Sequence, residues 1–275
     1  MSTVGLWANE SKPAAVSAAQ RLSEFLEHKG ASIRLQPDDE ALGECDFLVV
    51  FGGDGTLLSA ARRAAPHNTP LLGVHLGRFG FLTETSVETL LPVVEAVLAG
   101  RYDRIERPML QGKVLRADGS EGPTLTGLND VVVTGKAARM VHIRTRVASD
   151  DLAIYAADGV IVATPTGSTG YSLSAGGPLV HPTTPVLIVT PIAPHTLSAR
   201  SLVVPDSETV SLTVAGETRD AVIVTVDGQV EAPLENGDTV VVSRAPHTVT
   251  FLSAGGPGFY EKIRTRWHYA ERLNQ

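Results

Sequence analysis

A single cysteine, Cys45, leaves the chain without an internal disulfide, and a reducing cytosol is the compartment that suits such cysteine usage. No stretch approaches the roughly 20 consecutive apolar residues of a membrane span. The opening MSTVGLWANE lacks the basic flank and long apolar run of a secretory signal. A soluble, cytoplasmic protein with no membrane partner is expected. A basic surplus is missing as well. The formal net charge of −7 argues against nucleic acid as the main partner, while a nucleotide, which needs only a few local cations, stays open. Several catalytic signatures are also missing. G-x-x-x-x-G-K-[ST] does not occur, since Lys113 and Lys136 follow glycines but precede Val114 and Ala137. GGDGTL lacks the third glycine of G-x-G-x-x-G. TGSTG falls short of the G-x-S-x-G of serine hydrolases. H-E-x-x-H and paired cysteines are absent and the eight histidines are scattered, so no metal-ligand set is assigned.

What is present is a chain of 275 residues with ordinary charged and apolar fractions, enough for two globular domains. Its most informative stretch is FLVVFGGDGTLL, Phe47 to Leu58. Phe47–Phe51 reads as a strand buried on both faces. Gly52 and Gly53 end it, and Gly55-Thr56 leads into LLSAARRAA, where Leu58, Ala61 and Ala65 share a helical face. A strand, a glycine turn and a helix start together make an anion site, because glycines let N–H groups approach a phosphate and the helix N-terminus carries partial positive charge. Asp54 stands out there, since a carboxylate aimed into a phosphate cradle repels its ligand. It fits if a metal ion lies between them, or if it faces a hydroxyl that attacks the phosphate. The plain alternative is an Asp capping the helix.

Taken in order, Val4–Ala8 reads as a strand, and a helix follows from about Ser11 to Lys29 with Ser11 as cap and Val16, Ala19, Leu22 and Leu26 as its apolar stripe. Ile33 and Leu35 suggest a second strand, and Leu71–His75 a further one after the Phe47 strand and its helix. The glycine-broken Gly73–Glu84 comes next, then a helix over Ser86–Leu98. This alternation predicts a parallel sheet covered on both sides, with GGDGT at the carboxyl ends of its strands. After about Pro108 short β-type runs take over, separated by Asp118-Gly119, Asp227-Gly228 and Asn236-Gly237. The expected fold is therefore an α/β Rossmann-like N-terminal domain, residues 1–107, followed by an all-β, sandwich-like domain, residues 108–252. The tail, residues 253–275, carries Ile263 and Trp267 at helical spacing and is expected to dock back on the first domain.

A second constellation is DGVIVATPTGSTGYSLSAGGP, Asp158 to Pro178. A strand runs into a loop of threonines, serines and one tyrosine, suited to ribose hydroxyls, phosphate oxygens and a stacked base, or simply a turn rich in hydroxyls. Asn129-Asp130 opens the VVV run as turn chemistry or as a reader of two hydroxyls. Arg139, Arg144 and Arg146 supply either phosphate cations or a solvated strand face.

Together FGGDGTLL, LGRFGFLTE, LNDVVV, the block after Asp158, PHTLSARSLVV and VDGQ resemble the NAD kinases, over nearly the whole chain. The GGDGT motif alone is shared with phosphofructokinases and lipid kinases. The hydroxyl-rich block is far more specific. The resemblance implies the NAD kinase and phosphofructokinase-like superfamily fold, ATP as phosphoryl donor (polyphosphate being the alternative), Mg²⁺ or another divalent cation, NAD as acceptor, and a homodimer or homotetramer whose neighbours help to form sites. It assigns catalysis to Asp54 and phosphate contact to Gly52, Gly53, Gly55 and Thr56. Asn129 and Asp130 match the pair that holds the NAD ribose and adenine region, and Arg139, Asp158 and Gln229 lie where the family contacts dinucleotide. Thr169, Gly170, Tyr171, Ser172, Leu173 and Ser174 match the block lining its adenosine and nicotinamide ends. The departures are Asp130 for the usual Glu, Gly170 for the usual Ala, and Arg78 and Phe79 in a segment that commonly reads differently. The rival functions are a lipid or sugar kinase of the same superfamily, which calls for a different acceptor channel, and a non-catalytic dinucleotide sensor.

Overall fold

The computed structural model describes residues 2–77, 80–83, 85–136, 140–216 and 221–267, so Arg78, Phe79 and Arg139 lie outside the described residues. Two compact units divide the chain, residues 1–107 with 247–275, and residues 108–246.

The first unit begins β1 Thr3–Ala8, α1 Pro13–His28, β2 Ser32–Leu35, α2 Asp39–Gly43, β3 Phe47–Phe51, α3 Asp54–Ala64 and β4 Leu71–His75. The short β5 Thr85–Ser86 and then α4 Leu90–Leu98 follow. The strands are parallel in the order β2-β1-β3-β4. Because β1 sends its connection to one side and β3 to the other, the β1/β3 boundary is the topological switch point where open α/β sheets bind ligands. One face is sealed by α1 and α4: Leu22, Leu26, Val94 and Val97 pack with Leu6, Val49, Phe51 and Val74. On the other face lies α3, whose Leu57 sits where a Cβ on Gly73 of β4 would come within 2.5 Å, so Gly73 lets helix and sheet close up. With both faces covered, all five residues of β3 are buried, which is why they read as an unbroken apolar run.

Two local expectations need correcting. Ser11 does not cap α1: its N–H and hydroxyl donate to Asn9 Oδ1 (3.1 and 2.6 Å), and the cap position is Lys12 with no side-chain bond. The buried stripe of α1 is Ala15, Ala18, Ala19, Leu22 and Leu26, and Val16 is exposed.

The second unit is built from β6 Asp103–Leu115, β7 Glu121–Gly127, β8 Asp130–Gly135, β9 Val141–Val147, β10 Asp150–Ala157 and β11 Gly159–Ala163. There follow α5 Tyr171–Ser174, β12 Val186–Ile192, β13 Leu202–Pro205, β14 Val210–Val214, β15 Val222–Val226, β16 Val230–Leu234 and β17 Thr239–Ser253. One layer runs β13-β12-β11-β8-β15-β16, antiparallel throughout. The other joins β10, β9, β14 and β17, with β6 on β17 and β7 on β6. Alternate residues of the two layers, among them Val131, Val133, Val160, Val162, Ile143, Leu212 and Val240, form one core. The outer face of β11 is also covered, since Ile161 and Ala163 pack with Ala175 and Val180 of the following loop. That loop is therefore fixed to the sheet by apolar contacts as well as by hydrogen bonds.

The last strand, β17, pairs with β14 over Thr239–Val242 and, seven residues beyond Arg244, places Phe251 beside Leu71 of β4. The second unit accordingly ends at residue 246 rather than at 252. The last described element, α6 Phe259–Trp267, belongs to the first unit.

Candidate active site

In the first unit β3 delivers the chain to Gly52 and Gly53 at the switch point. A Cβ on Gly52 would lie 2.3 Å from Thr56 Oγ1, so only glycine allows the turn to fold onto the helix start. Gly53 takes the cap position, its carbonyl accepting from Thr56 N and Leu57 N (3.0 and 3.2 Å). Asp54 is thus the first residue of α3. Its carboxylate is held from across the unit: Oδ2 accepts from Phe81 N at 3.1 Å and Oδ1 from Leu82 N at 3.3 Å. The chain approaches it so closely at Gly80 that a Cβ there would fall 1.9 Å from Oδ1. Gly80 N donates in turn to Thr83 Oγ1 (2.9 Å), which pins the loop.

At Gly52 and Gly53, where β3 ends, a cavity of about 400 Å³ opens. Ser11, Lys12, Gly52, Gly53, Leu76 and Gly77 are among its lining residues. The N-terminus of α1, a helix of 16 residues with no side-chain cap, borders the same space, so partial positive charge and the Lys12 ammonium both favour an anion there.

In the second unit β8 and β11 are paired so that Asp130 faces Ala163. This register brings Asn129-Asp130 to the end of the sheet from which the hydroxyl-rich loop departs. Thr164 ties the two together: its N–H donates to Asn129 O (2.8 Å) and its hydroxyl to Leu128 O (2.6 Å). Gly167 then passes so near that a Cβ would meet the Asn129 carbonyl oxygen at 2.1 Å. A third segment arrives from the β15–β16 turn. Asp227, at φ +51°, accepts from Leu128 N (3.1 Å), Asn129 N (2.7 Å) and Asp130 N (3.3 Å). The Asp227-Gly228 pair is legible in the sequence only as a turn. Its function as the brace of the Asn129-Asp130 backbone is not, because the groups it binds are main-chain amides about a hundred residues away.

The Asp130 carboxyl is buried and its pKa is pushed from 3.8 up to about 7, first by burial and then by the negative charge of Asp227. The folded protein therefore binds more protons at this residue than the unfolded chain between these two values, so its contribution to stability falls as pH rises through that window and is level above it. Asp130→Asn removes the charge. The gain of the variant over the parent should grow between about pH 4 and 7 to on the order of 2–4 kcal/mol, read from thermal melts across that range.

The remaining loop residues divide by what their hydroxyls do. Ser172 Oγ meets Thr190 Oγ1 at 3.1 Å in a buried contact, Ser168 Oγ bonds Val180, and Thr169 donates to Thr166 O (3.1 Å). These bonds shape the loop. The Thr166 hydroxyl is buried without a protein partner, Tyr171 and Ser174 are exposed, and Gly170 and Leu173 are half-buried. Gln229 is exposed beside the Asp227 turn, with its N–H on Val226 O. Asp158 is not brought to this end. It precedes Gly159, which faces Thr134 at the far end of β11, about 13 Å of strand from the Ala163–Asp130 pair. Arg144 and Arg146 alternate on the exposed face of β9, where Arg146 bonds Ser149 O (2.7 Å) and pairs with Asp151 (3.4 Å).

Comparison with known proteins gives the same reading over both units. Residues 4–102 match the ATP-NAD kinase N-terminal domain, and residues 128–254 match the ATP-NAD kinase C-terminal domain. The NAD kinase of Heliobacterium modesticaldum is 44% identical over 280 residues, covering 97% of this chain and 98% of that protein. The NAD kinase of Symbiobacterium thermophilum is likewise 44% identical, over 281 residues, covering 97% and 99%. Among solved structures, an NAD kinase from Archaeoglobus fulgidus in complex with ATP superposes with a TM-score of 0.76 at 27% identity, covering 96% of this chain and 99% of that one. Yeast NADH kinase complexed with NADH shares the fold, with a TM-score of 0.87 at 23% identity over 100% of this chain and 90% of that one. With both domains matched and relatives of this similarity spanning nearly its full length, the chain belongs to the NAD kinase family, a family of phosphotransferases.

Proposed function

We propose that the chain transfers the γ-phosphoryl group of ATP to the 2′-hydroxyl of the adenosine ribose of NAD, with Asp54 as the residue that orients and deprotonates this hydroxyl. The observation that carries the assignment is the Asp54 carboxylate, fixed at the start of α3 by the Phe81 and Leu82 amides and set beside a glycine turn. In the reaction the 2′-oxygen forms a bond to the γ-phosphorus, the bond from that phosphorus to the β–γ bridging oxygen breaks, and ADP leaves. The hydroxyl proton passes to Asp54. A carboxylate is too weak a base to ionise a ribose hydroxyl beforehand, so the transfer comes late, and most of the rate comes from alignment and charge stabilisation in a loose transition state.

The glycine turn at Gly52-Gly53 and the start of α3 serve the phosphates, where the fixed dipole favours negative charge. Asn129, Asp130, Gln229 and the Thr169–Ser174 loop hold the dinucleotide, and Asp227 keeps the first two in place. Among the described residues no group of three or more His, Cys, Asp or Glu side chains converges as a metal cage. When bound, Mg²⁺ would offset phosphate charge. The same reading places the protein in the cytoplasm, which Cys45 as the only cysteine supports, and makes it a homodimer or homotetramer. No described helix is long and apolar enough to cross a membrane.

Purified protein incubated with NAD, Mg²⁺ and ATP should form NADP and ADP in equal amounts, and NAD lacking the adenosine 2′-hydroxyl should give no product. NAD binding with no NADP from either ATP or polyphosphate would instead identify a dinucleotide sensor.

A further inference from the structure

We propose that Lys262, on the C-terminal helix α6, is a positioning residue that sets the Asp54 carboxylate through a single peptide group; the proposal rests on the reading of Asp54 as the proton acceptor. Lys262 is buried, at 6% exposure. Its ammonium donates to two main-chain carbonyls of one loop, Phe81 O at 3.1 Å and Thr83 O at 3.2 Å. That loop is the one whose amides hold Asp54.

The peptide group joining Phe81 to Leu82 is shared. Its oxygen accepts from Lys262, and its N–H donates to Asp54 Oδ1. A cation on the carbonyl polarises the peptide and strengthens the N–H as a donor, so ammonium, peptide and carboxylate form a continuous chain of hydrogen bonds in a partly buried site. The second bond, to Thr83 O, holds the other side of the turn, whose Thr83 hydroxyl also receives Gly80 N. Gly80 is the point of closest approach to Asp54. Lys262 thus clamps the loop on both sides of Leu82.

Burying an ammonium is costly unless its donors are satisfied. A lysine whose only task was to fasten α6 would stabilise the fold without altering chemistry. The positioning function differs in what it moves. Lys262→Met keeps the length and apolar stem of the side chain and removes the donor. Its kcat for NADP formation should fall on the order of 10- to 100-fold while NAD affinity, measured by calorimetry, stays within about twofold. Lys262→Gln, which retains a donor without charge, should lie between Met and the parent. When the same change is made in Asp54→Asn, which no longer has a proton acceptor to position, the residual rate should fall less than about twofold. Amide exchange gives a readout independent of turnover: Phe81 and Leu82 should exchange as slowly as the α6 amides in the parent and at least about tenfold faster in Lys262→Met.

A normal kcat in Lys262→Met, or the same fold-loss with and without Asp54, would overturn the proposal. If neither lysine variant folds, rapid exchange of Phe81 and Leu82 in the parent protein would overturn it equally, and slow exchange matching α6 would support it. A normal rate in Asp54→Asn alone would sink the proton-acceptor reading, and the exchange data on the Lys262 variants would still report whether this lysine holds the loop.

Discussion

Asp54→Asn is expected to lower kcat for NADP formation on the order of 10²- to 10⁴-fold and to leave NAD binding close to that of the parent. The substitution keeps the size and shape of the side chain and removes its capacity to accept a proton. It also puts an NH₂ group where one oxygen accepts from Phe81 N or Leu82 N, so one of these bonds is lost. That loss should cost about 1 kcal/mol of stability, far too little to explain the missing turnover by unfolding. Steady-state kinetics alongside calorimetric titration with NAD and a thermal melt separates the three effects. Wild-type kcat in the Asn variant would remove Asp54 from the chemistry.

Gly80→Ala tests the same carboxylate from the opposite side. The new methyl would lie 1.9 Å from Asp54 Oδ1 and 2.6 Å from its Cγ, distances no Cβ tolerates, so the carboxylate must move by about an ångström or the loop must retreat. A displacement of that size at a reacting group costs about 10²-fold in rate. The dinucleotide-holding residues lie elsewhere in the chain, so NAD affinity should be retained and kcat should fall about 100-fold. The neighbourhood is half-buried and the clash is with one side chain, which limits the expected destabilisation to about 1–3 kcal/mol. A variant with unaltered kcat would mean that the grip of the loop on Asp54 has no bearing on turnover.

What the sequence made legible, and what it hid, follows from which atoms carry each contact. The parallel sheet is readable because β3 is an unbroken apolar run and β4 is mostly apolar, and the sandwich because short β-type runs such as β14 and β15 are separated by turn pairs. Strands whose signal is diluted escaped: β6 contains Gln111, Gly112 and Lys113, β7 is polar along most of its length, and β16 includes Pro233. In β17 Arg244 and Pro246 break the apolar pattern, yet the strand is continuous from Thr239 to Ser253. The expected helix over Ser86–Leu98 starts only at Leu90, since Ser86 and Thr89 bond each other and close a turn first.

At the site, Asp54 was readable because a lone carboxylate among glycines is chemically odd. Its supports were not. Lys262 acts on backbone carbonyls, and Asp227, which braces Asn129-Asp130, on backbone amides, groups that every residue possesses and no motif records; Gly80 acts by leaving room for the Asp54 side chain. Ser172, by contrast, looked like one more exposed hydroxyl in a polar loop, and only the fold shows it buried against Thr190.

The most direct test of the account is a crystal structure with NAD bound. An Asp54 carboxylate oxygen within about 2.6–3.2 Å of the adenosine 2′-oxygen, with the Phe81 and Leu82 amides still on the carboxylate, is the predicted result. A carboxylate turned away from that ribose, with the 2′-oxygen held by other groups, would contradict it.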